Sequence, residues 1–364
     1  MSVDQLLPVL IGSHTSKQNL EMFLDHALNG TFIGFDVFQT SVSTMQSFVK
    51  GKPFSQSVID KMQLYRNMRE TDGKRFYGLI HGKYLYNFSR RDVQNQIDIL
   101  ISECRLANSI GCNIVIHQGK NVASENMTRE DAIINFIDNM NRILTIMTND
   151  TETISSRRLT DMKIVLENSA HQGTEIGYEI SELAYIYNHI NNDYKHMVSF
   201  CIDTCHAFVS GAMDCRDVLS VKSFFTQFDE LIGLHKLEVI HFNDSASMFN
   251  SKNDHHEYIG LGYIGNPALG GSLNGYVEII EMARNNNIPL VLEIPNPFDS
   301  AEALRKIIQA VRETYYINGG DKIAEIFTIP EYIDKFNEIT EMYKQKSVKK
   351  QTKKVSTLSD PKSG

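Results

Sequence analysis

The chain has 364 residues, a formal net charge of −8, 42% hydrophobic and 22% charged residues. That composition is ample for a buried core, and no apolar run reaches the roughly 18 residues that mark a membrane span. The acidic balance argues against a generic nucleic-acid binder. The opening MSVDQLLPVLIGSHTS has neither a basic n-region nor a small-residue cleavage site, so no signal peptide is expected. Cys104, Cys112, Cys201, Cys205 and Cys215 are odd in number and lack CxxC spacing, so they are expected to be reduced and mostly buried. The expectation is a soluble intracellular protein of the cytoplasm or nucleus.

Taken in chain order, eight runs rich in Ile, Val, Phe and Leu predict strands over 6–13, 32–39, 75–81, 113–117, 163–167, 198–203, 237–242 and 289–293. Amphipathic stretches lie between them. In 91–110, Val93, Ile97, Leu100, Ile101 and Cys104 form one stripe, and Gly111 is placed to end the helix. The spacing 120–160 is long for one unit and predicts a helix plus an insertion. After 300, AEALRKIIQAVRETYY predicts a last barrel helix, and IPEYIDKFNEITEMY a further one with Ile329, Tyr332, Ile333, Phe336 and Ile339 as its apolar face. No repeat of 20–50 residues is present. The alternation predicts a single α/β domain over 1–315, a (β/α)8 TIM barrel, with a helical extension at 316–343 packed on it. Residues 344–364 carry seven lysines against one aspartate and read as a flexible, disordered basic tail. Such a tail serves either solubility or an electrostatic contact with nucleic acid.

The predicted strand ends carry the chemistry. Strand three ends on His81, strand four on His117, strand five on Glu167 and strand six on Asp203, followed by His206. Strand seven ends on His241, and its loop brings Asp254 and His256; strand eight ends on Glu293. In a parallel barrel these ends converge on one mouth. One histidine at a strand end is ordinarily a hydrogen-bonded cap. Six consecutive strands each delivering an imidazole or carboxylate need another reason, since grouped buried carboxylates repel one another and lose hydration unless cations compensate them. Imidazoles beside carboxylates suit zinc and similar divalent ions, so a multinuclear metal site is expected.

The blocks LENSAHQGTEIG (166–177), CIDTCHAFVSG (201–211) and HFNDS…DHHEYIGLGYIG (241–265) resemble, in order, the diagnostic motifs of the endonuclease IV family, the metal-dependent abasic-site endonucleases of base-excision repair. IGSHTS (11–16), LIHGKYLYN (79–87) and VLEIPNP (291–297) also fit. The resemblance covers roughly residues 8–310 and implies three Zn²⁺ per chain. It places His81, His117 and Glu167 on one ion, Glu167 again with Asp203, His241 and Glu293 on a second, and His206, Asp254 and His256 on a third. Glu167 would bridge and be catalytic. The implied reaction is hydrolysis 5′ to an abasic site in duplex DNA, leaving a 3′-hydroxyl, with hydroxide generated at the cluster and no protein nucleophile. Three such ions would also offset most of the chain's acidic balance.

Tyr84 and Leu85 match a Tyr–Leu pair that the family pushes into the duplex at the lesion, and are expected to contact DNA. The chain also departs from the pattern. An arginine frequent in the loop after strand two has no counterpart in QTSVSTMQS (39–47), His255 replaces a common arginine, and Ala246 stands where a lysine is frequent. A monomer acting on double-stranded DNA, without membrane contact, is expected. Two rival readings exist. A single-metal sugar isomerase or epimerase of the same barrel superfamily would need only Glu167, Asp203, His241 and Glu293, leaving five candidate ligands idle. A non-catalytic DNA-binding scaffold would need no metal at all.

Overall fold

A strand side chain returns to the same face every second residue, and in this protein that period sets the whole interior. The computed structural model describes residues 9–29, 36–71, 77–151, 157–293, 301–314, 321–330 and 332–342. Eight parallel strands close into one barrel: β1 (Ile11–His14), β2 (Val37–Thr40), β3 (Tyr77–His81), β4 (Asn113–Ile116), β5 (Ile164–Glu167), β6 (Val198–Asp203), β7 (Leu237–His241) and β10 (Leu290–Leu292), with β1 hydrogen-bonded to both β2 and β10. A two-stranded antiparallel ribbon, β8 (Asp244–Ser245) and β9 (His256–Glu257), follows β7. The eight predicted strands are all present. The predicted starts at 6–8, 32–35 and 75–76 lie outside the described residues, as do 294–300 and 343–364.

Helices follow the barrel strands in turn: Leu20–Leu28, Gln56–Thr71, Gln94–Ser109, Arg129–Asn149, Ile180–His189, Val218–Leu231, Asn274–Asn285 and Ala301–Arg312. A short helix, Thr204–Ser210, starts directly at the end of β6. The stripe Val93, Ile97, Leu100, Ile101 and Cys104 is buried, and Gly111 takes φ +70 just past that helix, where a Cβ would meet Arg66. The 21-residue helix Arg129–Asn149 fills most of the long 120–160 spacing. Its start is fixed reciprocally: Thr128 Oγ1 accepts from the Asp131 N–H at 3.0 Å, and Asp131 accepts from the Thr128 N–H at 2.8 Å.

Two apolar layers result. The larger lies between strands and helices, and it takes in Ile323, Ile326, Ile329, Tyr332 and Ile339 from the C-terminal extension. Ile333 departs from the expected apolar face and is 46% exposed. The smaller layer plugs the barrel interior with Val37, Tyr77, Leu79, Val115, Val165, Cys201, Val239 and Val291. All five cysteines are free and buried. Among the described residues no helix is long and apolar enough to cross a membrane.

Candidate metal centre

Counting two residues on from the interior plug gives the site. Leu79, Val115, Val165, Cys201, Val239 and Val291 point inward, so His81, His117, Glu167, Asp203, His241 and Glu293 point inward one layer nearer the C-terminal mouth. His206 comes from the first turn of the helix that Asp203 caps, its backbone N–H donating to the Asp203 carboxylate at 2.9 Å. The β8–β9 ribbon folds the loop after β7 back over the mouth and brings Asp254 and His256 to the same place.

Among the described residues five groups of closely placed ligand atoms form here; two bring in Cys201 and Cys205, and the other three account for all nine side chains, two of these sharing Glu167. His81, His117 and Glu167 form one; Glu167, Asp203, His241 and Glu293 a second; His206, Asp254 and His256 a third, each with potential ligand atoms within 4.8 Å of one another. Glu167 sits at the junction. Its Oε2 lies 3.4 Å from His81 Nε2 and 3.5 Å from His117 Nε2, and its Oε1 lies 2.9 Å from His241 Nδ1 and 3.5 Å from His206 Nδ1. Asp254 lies 3.2 Å from His206 Nε2 and 3.5 Å from His256 Nε2.

Several of the imidazoles are turned by a second bond. His81 Nδ1 donates to the Gly82 carbonyl at 2.7 Å, and His206 Nδ1 to the Asn168 carbonyl at 2.9 Å, leaving Nε2 of both rings facing the carboxylates. Gln39, from the same inward layer on β2, was not among the expected residues; its Oε1 accepts from His241 Nε2 at 2.9 Å, which turns Nδ1 inward. Its amide Nε2 donates to Glu293 and approaches His14 Nδ1 at 3.3 Å. Asn243 donates to Asp203 at 2.6 Å and accepts from the Glu293 N–H at 2.8 Å, while Asn168 accepts from the Asp203 N–H at 2.6 Å. The period that marks His81 and Glu167 also marks His14 and Gln39 on β1 and β2.

Electrostatically the cluster balances itself with protons. Burial alone would raise Glu167, yet His241 and His117 hold its carboxyl well below the usual range. Burial lowers His117 to about 4, so it is neutral near physiological pH. Burial would lower His206 too, but Asp203, Asp254 and Glu167 hold it well above the ordinary imidazole value; His241 is held up likewise by Cys201, Glu293 and Glu167. Of the nine side chains, two keep a buried atom without a hydrogen-bond partner, Glu167 Oε2 and His256 Nε2. A buried acceptor without a donor costs about 1–3 kcal/mol or more when charged. Cations seated between these nitrogens and oxygens would satisfy both atoms, so the donor set fits a group of divalent metals.

Above the cluster opens a cavity of about 640 Å³ lined by His81, His117, Glu167, His206, Asp254, His256 and Glu293 on its polar floor. Tyr84 and Leu85 stand at its lip, 57% and 41% exposed, with the Tyr84 ring 5.0 Å from that of His81. Lys120 and Arg90 also line it, Arg90 being paired with Glu125. His255 lies on the same rim.

The sequence profile of a family described as xylose isomerase-like TIM barrels matches residues 32–277. A protein of Acanthamoeba polyphaga mimivirus named endonuclease 4 is 34% identical over 224 residues, 60% of this chain and 66% of that protein. One of Chlorobium phaeobacteroides, also named endonuclease 4, is 32% identical over 223 residues, 60% of this chain and 70% of its own. Several such relatives are spanned over only 49% to 66% of their length. The crystal structure of endonuclease IV from Thermus thermophilus superposes with a TM-score of 0.63 at 20% identity, covering 83% of this chain and 98% of that one. At that identity the superposition speaks for the fold.

Proposed function

The chain belongs to the endonuclease IV family of xylose isomerase-like TIM barrels, and from that premise we propose that it hydrolyses the phosphodiester 5′ to abasic sites in duplex DNA, as a base-excision repair enzyme. The observation that carries the reading is the position of Glu167, whose two oxygens each face two imidazoles from different segments of the barrel mouth. A carboxylate so placed suits the bridge between two cations.

In this reading His81, His117 and Glu167 would hold one zinc ion, Glu167, Asp203, His241 and Glu293 a second, and His206, Asp254 and His256 a third. When bound, the ions supply Lewis-acid polarisation of the phosphate and a hydroxide nucleophile near neutral pH. The chain's own groups do the rest. Gln39, Asn168 and the Gly82 carbonyl fix which imidazole nitrogen faces inward. Asn243 holds Asp203 and, through the backbone, Glu293. Tyr84 and Leu85 meet the duplex at the cavity lip and hold open the space left by the missing base, where lost stacking makes extrusion inexpensive.

A single-metal isomerase would use only the four-residue group and leave His81, His117, His206, Asp254 and His256 idle. The deciding experiment pairs metal analysis of the purified protein with a nicking assay on a duplex carrying one abasic analogue. Three equivalents of zinc and a 3′-hydroxyl product support the endonuclease. One equivalent without nicking supports the isomerase, and none the scaffold.

A further inference from the structure

Between His81 and the exposed Tyr84 lies a lysine that never reaches solvent. The Lys83 side chain is 0% exposed and that of Glu103, on the helix after β3, 1%, with Lys83 Nζ 3.4 Å from Glu103 Oε1. Lys83 Nζ also donates to the Thr44 carbonyl at 3.0 Å and to Ser43 Oγ, both in the loop after β2. Ser43 Oγ in turn donates to Glu103 Oε1 at 2.9 Å, and Tyr86 OH donates to Glu103 Oε2 at 2.8 Å. One buried carboxylate thus ties the loop after β2 to the loop after β3. The tie ends at the surface: the Tyr86 ring lies 6.4 Å from that of Phe48, and Phe48 is 40% exposed on the rim that Tyr84 and Leu85 share.

Burying an ion pair is a poor way to gain stability, because a well-packed apolar pair of similar volume does as well or better. What a buried, fully hydrogen-bonded pair does provide is a single geometry. We infer that Lys83 and Glu103 are positioning residues that hold the two loops in one register, so that Phe48, Tyr84 and Leu85 form a continuous apolar lip on which bases flanking the reaction site stack. This rests on the endonuclease reading for the identity of the ligand. Base–aromatic stacking is tolerant of sequence, which suits a lip that meets whatever bases flank the site.

The test is Lys83→Met/Glu103→Leu, which replaces the pair by apolar groups and leaves no charge unpaired, compared with the zinc-loaded wild type. A duplex with 2-aminopurine opposite an abasic analogue reports unstacking. The expected result is unchanged zinc content, kcat within about twofold, KM raised about tenfold, and loss of most of the fluorescence rise on binding. Phe48→Ala should move KM and fluorescence in the same direction, and Phe48→Tyr should restore both. If the double variant does not fold, Tyr86→Phe, which removes one hydrogen bond to Glu103, should raise KM by a smaller factor at full zinc content. Unchanged KM and fluorescence in whichever variant folds, beside an active wild type, would overturn the positioning role. A zinc-loaded wild type that does not nick abasic DNA would instead overturn the functional reading.

Discussion

His241 Nε2 donates to Gln39 Oε1 over 2.9 Å, and that one bond decides which face of the imidazole meets the carboxylates. Nδ1 is thereby turned to Glu167 at 2.9 Å and Glu293 at 3.1 Å. Replacing Gln39 by Leu removes the acceptor and frees the ring to take the other tautomer. Outer partners of metal-binding histidines are commonly worth about 10- to 100-fold in metal affinity. Gln39→Leu should therefore lose zinc to a competing chelator at about 10-fold lower chelator concentration than wild type. Equal retention would deny Gln39 its orienting role.

Glu167 is the residue the three-group reading depends on most. Its carboxylate faces four imidazoles, and a neutral amide cannot offer two anionic oxygens to two cations. Glu167→Gln should lower kcat by at least 100-fold and reduce zinc below three equivalents. His171 is the matched control: it lies in the same sequence block but stacks on Tyr178, 3.8 Å between ring centroids, and belongs to none of the three groups. His171→Ala should keep full zinc content. Near-wild-type turnover of a fully loaded Glu167→Gln protein would rule out the bridge.

Much of this centre was legible in the sequence because a barrel strand has period two and a single mouth. An apolar residue followed two positions later by His, Asp or Glu, as in Leu79–His81 or Val165–Glu167, is visible without coordinates. Gln39 and His14 lie in the same inward layer, paired across β1 and β2. Gln39 escaped notice because an amide is not a metal ligand, although it steers one. The β8–β9 ribbon is only two residues a strand, too short for any alternation to show. The Lys83–Glu103 pair was hidden for another reason: a buried charge looks like a surface charge until its partner, twenty residues on, is seen beside it. Ile333 looked apolar by spacing and lies on the outer side of its helix, where single exposed apolar residues are ordinary.

The ribbon owes its shape to Asp244. The fully buried carboxylate accepts four backbone N–H groups: Ser245 at 2.7 Å and Ile264 at 2.9 Å on Oδ1, Gly260 at 2.8 Å and Gly265 at 3.0 Å on Oδ2. Only a carboxylate offers that many acceptor positions on both atoms. Asp244→Asn turns two acceptor positions into donors facing donors, at about 1–3 kcal/mol for each group left unmatched. The melting temperature should fall by several degrees, and zinc should be lost first from the His206, Asp254 and His256 group, two of whose members, Asp254 and His256, the ribbon brings in. An unchanged melting temperature would contradict the account.

Metal loading should release protons. In the metal-free protein burial would lower both imidazoles, but Asp203, Asp254 and Glu167 hold His206, and Cys201, Glu293 and Glu167 hold His241, well above the ordinary imidazole value, whereas burial lowers His117 to about 4. Cations can bind His206 and His241 only by displacing those protons. Because their folded-state values are raised, the stability these two groups lend the metal-free protein is full below about pH 6.5. It is lost as pH rises through the folded values. Zinc affinity therefore climbs with pH while metal-free stability drops. Calorimetric titrations of zinc at pH 7 in two buffers of different ionisation enthalpy should give different apparent heats, corresponding to one or more protons released per chain. Identical heats would mean the imidazoles were neutral beforehand.

The last expectation concerns residues 344–364, whose seven lysines stand apart from an otherwise acidic chain. The stretch lies outside the described residues, and its positive charge is what bears on DNA. If these lysines hold phosphates that the barrel loops do not reach, deleting 344–364 should weaken DNA binding and leave zinc content unchanged. Each neutralised phosphate releases condensed counterions, so log K should depend less steeply on log salt, by about 0.9 for every phosphate that the shortened protein no longer neutralises on duplex DNA. Turnover at saturating DNA should stay within about twofold, since interactions made equally in the bound and transition states alter KM and not kcat. Coincident salt slopes for the full-length and shortened proteins would leave the tail without a part in DNA affinity and return that work to the cavity rim, where Lys120 is a candidate.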